Sequence, residues 1–463
     1  MLPRAIRDRL QQPPIYLNSF ALTPGITKGD LMAEFLSDHL ADVINQLTAF
    51  RNTVDSGKRR NLLNALRQAQ QEAKDKGIKI SLDAAPAMVA AQIGQLQAGD
   101  AVAEAMGIRE IPGTGDYEYL DHRWIESALN YYQTGANGRV KFPTAGATVN
   151  PLKDLRDENG VTRIAIAGDW GTGVDPADQY PYATALAVAA QMKTKEPHYT
   201  IHLGDVYYSG LENEETQKFV GHWPAGKFGS YTLNSNHEMY CGGKGYFNVL
   251  LADPMFRESQ EGLSYFALTN DDWLIVGLDS AYFGYYQSLL YEEGALFEPD
   301  AQKQPDGMVQ SQWLAGLLKE HGRKRVIILT HHDGFDVQPI TGKLSRKPLY
   351  QQVTAQMANV RDWWWYWGHV HGVIAYERIF FDNNAAVTPR CIGHGAIPYL
   401  PFPPDLSHLG DGTVRVQWVE TDLARNGGDS RRAPNGYLLL TLKGAELHEE
   451  LYDELGRKRW ANF

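Results

Sequence analysis

Two hydrophobic rhythms divide the chain. Between residues 30 and 104 apolar side chains return every three or four positions, as in LMAEFLSDHLADVINQLTAF, where Leu31, Phe35, Leu40, Val43, Ile44 and Leu47 keep that spacing. Such spacing lines one side of a helix. The run breaks between Asp55 and Lys58, and further helices are predicted in RRNLLNALRQAQQEAKDKG and APAMVAAQIGQLQAGDAVAEAMG. None of this holds a cluster of metal-ligating side chains. Residues 1–150 are therefore expected to form a mainly helical accessory region, with binding of a protein partner as its other use.

The segment TGANGRVKFPTAGATVNPLKDLRDENG, residues 134–160, is dense in Gly, Pro, Asn and Asp. It reads as a linker or long surface loop. Beyond it the apolar runs shorten. TRIAIAG, YTIHLG, WLIVGLDS, RVIILT and WWWYWG alternate with helical stretches such as YATALAVAAQMK, MVQSQWLAGLLKEH and LYQQVTAQMANV. Buried strands alternating with helices predict an α/β sheet covered on both faces, in a domain spanning residues 151–463. In the closing GYLLLTLKGAELHEELYDELGRKRW, apolar and polar residues alternate about a KGAE turn, which predicts an antiparallel hairpin at the domain edge.

Composition narrows the class. At 463 residues the chain exceeds the usual span of one domain, and 43% hydrophobic with 21% charged residues is the balance of a soluble globular protein. A net charge of −11 gives no nucleic-acid-binding signal. Cys241 and Cys391 form no CxxC pair and are expected to be free thiols. The first residues, MLPRAIRDRLQQPPIYL, lack an apolar signal core, and no window approaches the roughly 18 apolar residues of a membrane span. A cytoplasmic setting without membrane attachment is the expectation.

The apolar runs end alike. IAIAGD ends on Asp169; TIHLGDVYY on Asp205 with Tyr208 just beyond; YTLNSNHE on Asn236 and His237; VIILTHH on His331 and His332; WWYWGHVH on His369 and His371. Functional groups of parallel sheets gather at the carboxyl ends of strands. Carboxylate, amide and imidazole donors brought to one rim suit two hard-to-borderline metal ions. A single Gly-Asp or a lone strand-end histidine is an ordinary structural feature, and the weight lies in the five together. His202, inside a strand, reads as a core histidine, and Trp363, Trp364, Trp365 and Trp367 read as strand packing.

In this order the motifs resemble the calcineurin-like metallophosphoesterases, whose signature runs GD, GDxx, GNH(E/D), a later histidine and GHxH. The likeness covers about residues 160–463. Most members place a histidine two positions after the first aspartate, where this chain has Gly171. GDVYY and GDWG match instead the purple acid phosphatase branch, in which a tyrosinate replaces that imidazole, leaving Trp170 as a packing residue. The resemblance implies a metallophosphoesterase-type β-sandwich flanked by helices, preceded by the N-terminal helical region. It implies two metal ions, iron with iron, zinc or manganese as the second: metal 1 on Asp169, Tyr208 and His371, metal 2 on Asn236, His331 and His369, with Asp205 bridging. His331 is preferred over His332 because it stands at the strand end. His237 is implied to be catalytic rather than ligating. Beside the resemblance, Glu238 is a candidate to orient it or else a solvated loop acid, and His332 and His394 are further candidates for contact with His237 or substrate. Ser235 stands where the family usually has glycine. The implied activity is hydrolysis of phosphate esters by a hydroxide held at the binuclear centre. A phosphodiesterase or nucleotidase on the same site is one alternative, and a non-catalytic partner-binding protein with a vestigial site is the other.

Overall fold

Strand-end motifs can meet only if their strands lie side by side and point the same way. The computed structural model describes residues 138–145, 149–171, 184–288, 291–297, 309–337, 344–381, 385–397, 399, 401–402, 414–424 and 432–462. The three helices expected before residue 138 lie outside these described residues. In the smaller of two main sheets, Val161–Ala167 (β2), Tyr199–His202 (β3) and Gly229–Thr232 (β4) run parallel. On the other side of β2 follow Gly436–Lys443 (β17), Glu446–Asp453 (β18) and Lys458–Asn462 (β19), each antiparallel to its neighbour. The expected hairpin thus exists, but β17 pairs directly with β2, from Leu438↔Ile166 to Lys443↔Val161, and the sheet edge is β19.

The larger sheet runs Leu152–Asp154 (β1), Phe266–Thr269 (β5), Trp273–Gly277 (β6), Arg325–Thr330 (β9), Asp362–Trp367 (β12), Ala386–Ile392 (β15), Val373–Tyr376 (β13) and Val416–Val419 (β16), with Ile379–Phe380 (β14) also on β15. Its centre, β6, β9, β12 and β15, is parallel. Two ribbons, Tyr285–Ser288 (β7) with Tyr291–Glu293 (β8) and Phe335–Val337 (β10) with Leu344–Arg346 (β11), stand apart from both sheets.

Both faces of the central strands are apolar because both are covered. Ile327, Leu329, Tyr366 and Ile392 face Ile164, Ile166, Ile201 and Leu203 of the other sheet. The alternate residues Val326, Ile328, Trp363, Trp365 and Trp367 pack on Leu314, Leu349 and Val353, from helices Val309–His321 (α5) and Pro348–Gln356 (α6). On the outer face of the smaller sheet, Ala165 and Ala167 meet Val188 and Met192 of Thr184–Thr194 (α1) and Phe256 of Pro254–Gln260 (α4). The period-two alternation of strands explains why WWWYWG is apolar throughout. The architecture is a two-sheet sandwich with helices outside. Two short helices, Glu212–Lys218 (α2) and Asn236–Met239 (α3), carry site residues. Among the described residues no helix is long and apolar enough to cross a membrane.

The linker expectation changes from residue 138 onward. Phe142 is buried, its ring 5.9 Å from that of Tyr265 and 4.9 Å from that of Tyr282, and Tyr282 donates to the Val140 carbonyl. β1 then pairs in parallel with β5. An aromatic anchor and a strand dock this Gly- and Pro-rich stretch onto the sandwich, which composition alone does not reveal.

Candidate metal centre

β2, β3 and β4 of one sheet and β9, β12 and β15 of the other open at the same rim, and the residues beyond their ends cross-bond. Gly168 N–H donates to Ile392 O, Asp169 N–H to Gly204 O and Gly368 N–H to His331 O. Three site residues take left-handed backbone: Asp169 (φ 57°), Asp205 (φ 73°) and His369 (φ 64°). Each such non-glycine residue costs about 1–3 kcal/mol, a strain that folds tolerate mostly at functional sites. The glycine before each allows the strand ends to close up. A Cβ on Gly204 would stand 2.8 Å from the His331 ring, and one on Gly368 would stand 2.7 Å from Asp169 Oδ2. The recurrent Gly-Asp and Gly-His pairs are therefore a steric requirement of the crowded rim.

On one side of the cluster lie oxygen donors. Asp169 is fully buried; its Oδ2 accepts from the His369 amide at 3.0 Å, and its Oδ1, 3.6 Å from His371 Nε2, has no hydrogen-bond partner among the described residues. Asp205 Oδ2 accepts from the Tyr207 hydroxyl at 3.2 Å, and Oδ1 lies 3.3 Å from His331 Nε2 and accepts from Ser235 Oγ. The Tyr207 hydroxyl also stands 2.5 Å from His371 Nε2.

On the other side lie imidazoles. Asn236, first residue of α3, presents Oδ1 at 3.0 Å from His331 Nε2 and 3.2 Å from His369 Nδ1, while its Nδ2 donates to Tyr240. His331 Nδ1 is 2.8 Å from the Leu203 carbonyl; donating its proton there leaves the Nε2 lone pair facing the cluster. His332 joins this group, with donor atoms of His331, His332 and His369 all within 4.8 Å of one another. Asp169, Asp205 and His371 form a second such group by the same measure.

The electrostatics call for a cation. Burial, then the charge of Asp205, pushes the Asp169 carboxyl well above the usual carboxylate range. Burial acts on Asp205 in the same sense, but neighbouring imidazoles, to the extent that they carry a proton, and the Ser235 hydroxyl outweigh it and hold that carboxyl low. Burial lowers His331, and lowers His332 and His369 far below the ordinary imidazole value, so all three are neutral and able to coordinate. Two adjacent buried carboxylates facing neutral imidazoles, with Asp169 Oδ1 unpaired, fit metal ions in the absence of Lys or Arg contacts to either acid among the described residues.

The calcineurin-like phosphoesterase family model matches residues 162–373, which contain all of these donors. This segment, a little under half of the chain, matches the calcineurin-like phosphoesterases. Solved structures of similar fold include GAP50, the anchor in the inner membrane complex of Plasmodium, at 12% identity over 65% of this chain and 88% of that one, with a TM-score of 0.42. They also include the purple acid phosphatase PPD1 from yellow lupin seeds, at 15% over 65% of this chain and 53% of that one, TM-score 0.41. A third is PhoD, at 11% over 70% of this chain and 74% of that one, TM-score 0.40. The chain thus spans about half the length of the lupin enzyme. A search of curated proteins returns no match.

Within the phosphoesterase domain several expected residues stand elsewhere than the motifs suggest. The hydroxyl on the Asp205–His371 pair is that of Tyr207, one residue before the expected Tyr208. Tyr208 adjoins the site through its main chain: its carbonyl is 2.6 Å from His237 Nδ1 and its amide donates to Glu214 at 2.8 Å, while Lys218 Nζ lies 5.1 Å above its ring. The His237 ring is buried, 4.1 Å from that of Tyr207, with Nε2 3.9 Å from Asp205 Oδ2.

Glu238 does not serve as the orienting acid of His237. Its Oε1 accepts from the Val206 amide at 2.7 Å and its Oε2 meets Ser235 Oγ, so it clamps the loop that carries Asp205. The Tyr208 carbonyl orients His237 instead. Ser235, the residue in the family's glycine position, caps α3 by accepting from the His237 amide at 3.1 Å. His394 turns away from the centre and lines a cleft with Trp418, Glu420, Asn435 and Arg459. Burial alone lowers it to about 3, with no charge of the centre contributing. Trp170 is fully buried, donates to the Ala185 carbonyl at 2.8 Å and packs edge-on against Phe219 and Trp223. Cys241 and Cys391 are free and buried.

Proposed function

We propose that the phosphoesterase domain hydrolyses a phosphate ester at a two-metal centre whose halves share Asp205. The observation that carries this reading is the position of that carboxylate: Oδ1 faces His331 on the imidazole side, and Oδ2 faces Tyr207 on the oxygen side. Asp169, His371 and the Tyr207 hydroxyl would hold one ion, and Asn236, His331 and His369 the other. When bound, such a pair supplies an activated water and neutralises phosphoryl charge. Iron is our choice for the phenol-bearing half.

The chain's own residues supply the rest. His237 Nδ1 donates to the Tyr208 carbonyl, which fixes the ring so that Nε2 faces the cluster and can hold a proton for the departing alkoxide. Acid catalysis of this kind contributes about 10²- to 10⁴-fold in rate. Glu238 and Ser235 hold Asp205 and the α3 residues in register, and Asn236 is kept by Tyr240. Retention of a full donor set favours an active centre over a vestigial one.

The test is metal analysis of purified protein together with turnover of p-nitrophenyl phosphate and bis-(p-nitrophenyl) phosphate, before and after chelation. We expect two equivalents of metal and hydrolysis that chelation abolishes and metal restores. Preference for the second ester would select the phosphodiesterase reading. Folded, metal-replete protein inert to both esters would overturn the assignment.

A further inference from the structure

Adjacent residues of a strand point to opposite faces, yet His331 and His332 both enter the centre. β9 ends at Thr330, and beyond it the two rings stand 4.9 Å apart and nearly perpendicular, at 84°. The Thr330 hydroxyl fixes this turn by donating to the His332 carbonyl at 2.8 Å, and the Trp365 indole donates to that hydroxyl at 2.9 Å. From outside, Gly294 presses on the ring's base: a Cβ there would lie 2.4 Å from His332 Cβ. The His332 ring centroid ends 4.7 Å from that of His369.

The two nitrogens of His332 are unequal. Nδ1 is 3.0 Å from Ser280 Oγ, which also accepts from the His332 amide at 3.0 Å. Nε2 is fully buried and has no hydrogen-bond partner among the described residues. An unpaired buried N–H costs about 1–3 kcal/mol, so a protonated Nε2 would be a standing penalty. With the proton on Nδ1 and donated to Ser280, Nε2 presents a lone pair instead. His331 is arranged in parallel, Nδ1 on the Leu203 carbonyl and Nε2 towards the cluster.

We propose that His332 is a further ligand of the imidazole-side ion, which is then held by three histidines and the Asn236 amide oxygen, with Ser280 as the residue that orients the added ring. This rests on the two-metal reading and adds a protein donor to it. Three imidazoles around one position favour a borderline ion such as zinc over magnesium or calcium. The extra donor also fills a coordination position that would otherwise be open to water or substrate.

Titration of metal-free protein with Zn²⁺ by calorimetry tests the assignment. Wild type should bind two equivalents. His332→Gln should weaken one of them by more than about 100-fold and leave the other unchanged, whereas Ser280→Ala, which removes only the orienting hydroxyl, should weaken the same equivalent by about 10-fold. Ser280→Ala retains every imidazole side chain and carries the test should the His332 variant fail to fold, and thermal unfolding of the metal-free proteins shows whether it has. In Co²⁺-loaded protein the visible bands of the affected site should shift in both variants. Wild-type affinity for both equivalents in His332→Gln, with only KM for the ester raised, would make His332 a substrate contact and overturn the proposal. Fewer than two equivalents in wild type would overturn the two-metal reading itself, a separable failure.

Discussion

Asp169, Asp205 and Tyr207 bring oxygen to the side of the centre that His371 closes, whereas His331, His332 and His369 bring nitrogen around the Asn236 amide. The difference follows the sheets. β2 and β3 of the smaller sheet deliver the acids, and β9 and β12 of the larger deliver the imidazoles, with Asn236 and His371 as the exchanged members. Each position is thus completed by a residue from the opposite sheet. On the two-metal reading proposed above, a hard, oxygen-rich position beside a borderline, nitrogen-rich one would discriminate between two metals. Donor chemistry, rather than distance alone, distinguishes the halves.

Asp205→Asn breaks the comparison most deeply, because this carboxylate faces both halves. Both metal equivalents should weaken by more than about 100-fold and ester hydrolysis should fall below detection, as read by metal analysis and turnover. Retained metal and turnover would mean that the halves do not share it. His237→Ala lies outside the division: both equivalents should remain while the rate on esters with poor leaving groups drops roughly 10²-fold or more, and less with nitrophenolate, which needs little protonation. Loss of metal in step with rate would make His237 a ligand.

Tyr207→Phe should touch the oxygen half alone. An ordinary phenol has a pKa near 10 and ionises at neutral pH only on a strongly Lewis-acidic ion. Aerobically prepared, iron-loaded protein should show a broad visible band that Tyr207→Phe removes and Tyr208→Phe leaves, with the nitrogen-side equivalent unaffected in both. The reverse pattern would return the ligand to the residue the motif spacing favours. Least disruptive is Trp170→Phe, which removes the bond to Ala185 and should lower stability to urea by about 1–3 kcal/mol while metal content and colour stay unchanged. A loss of colour there would show that the indole shapes the oxygen half and does more than pack.

The donors were legible as residues because each sits where an apolar run stops, and Gly-Asp, Gly-Asp and Gly-His are short-range signals of a crowded rim. What the spacing left unread was direction. Whether Tyr207 or Tyr208 faces Asp205 depends on how the following turn is held: Glu238 accepts from the Val206 amide, Glu214 from the amides of Tyr208, Ser209 and Leu211, and Lys218 donates to the Tyr207 carbonyl. Those contacts come from other segments, and no periodicity encodes them. His394 follows a strand just as His369 does, yet its ring falls on the side of Trp418 and Arg459. A sheet covered on both faces followed from apolar runs too uniform to leave a face in water, the two-sheet sandwich came only from the family resemblance, and the docking of Phe142 lay hidden in a loop-like composition. The helical reading of the first 137 residues falls outside the described structure.

The pairing of β17 with β2 has a consequence in time. The strand that presents Asp169 receives its antiparallel neighbour from residues 436–443, after both sheets' other site strands have been made. During synthesis, Asp169, Asp205, His331 and His369 all emerge while β2 still lacks that neighbour, and an unpaired edge of Ile164 and Ile166 is open to association with other chains. Completion of the sheet under the centre therefore waits on residues 436–443, and a chain cut short before them carries the full set of candidate ligands on an unfinished sheet.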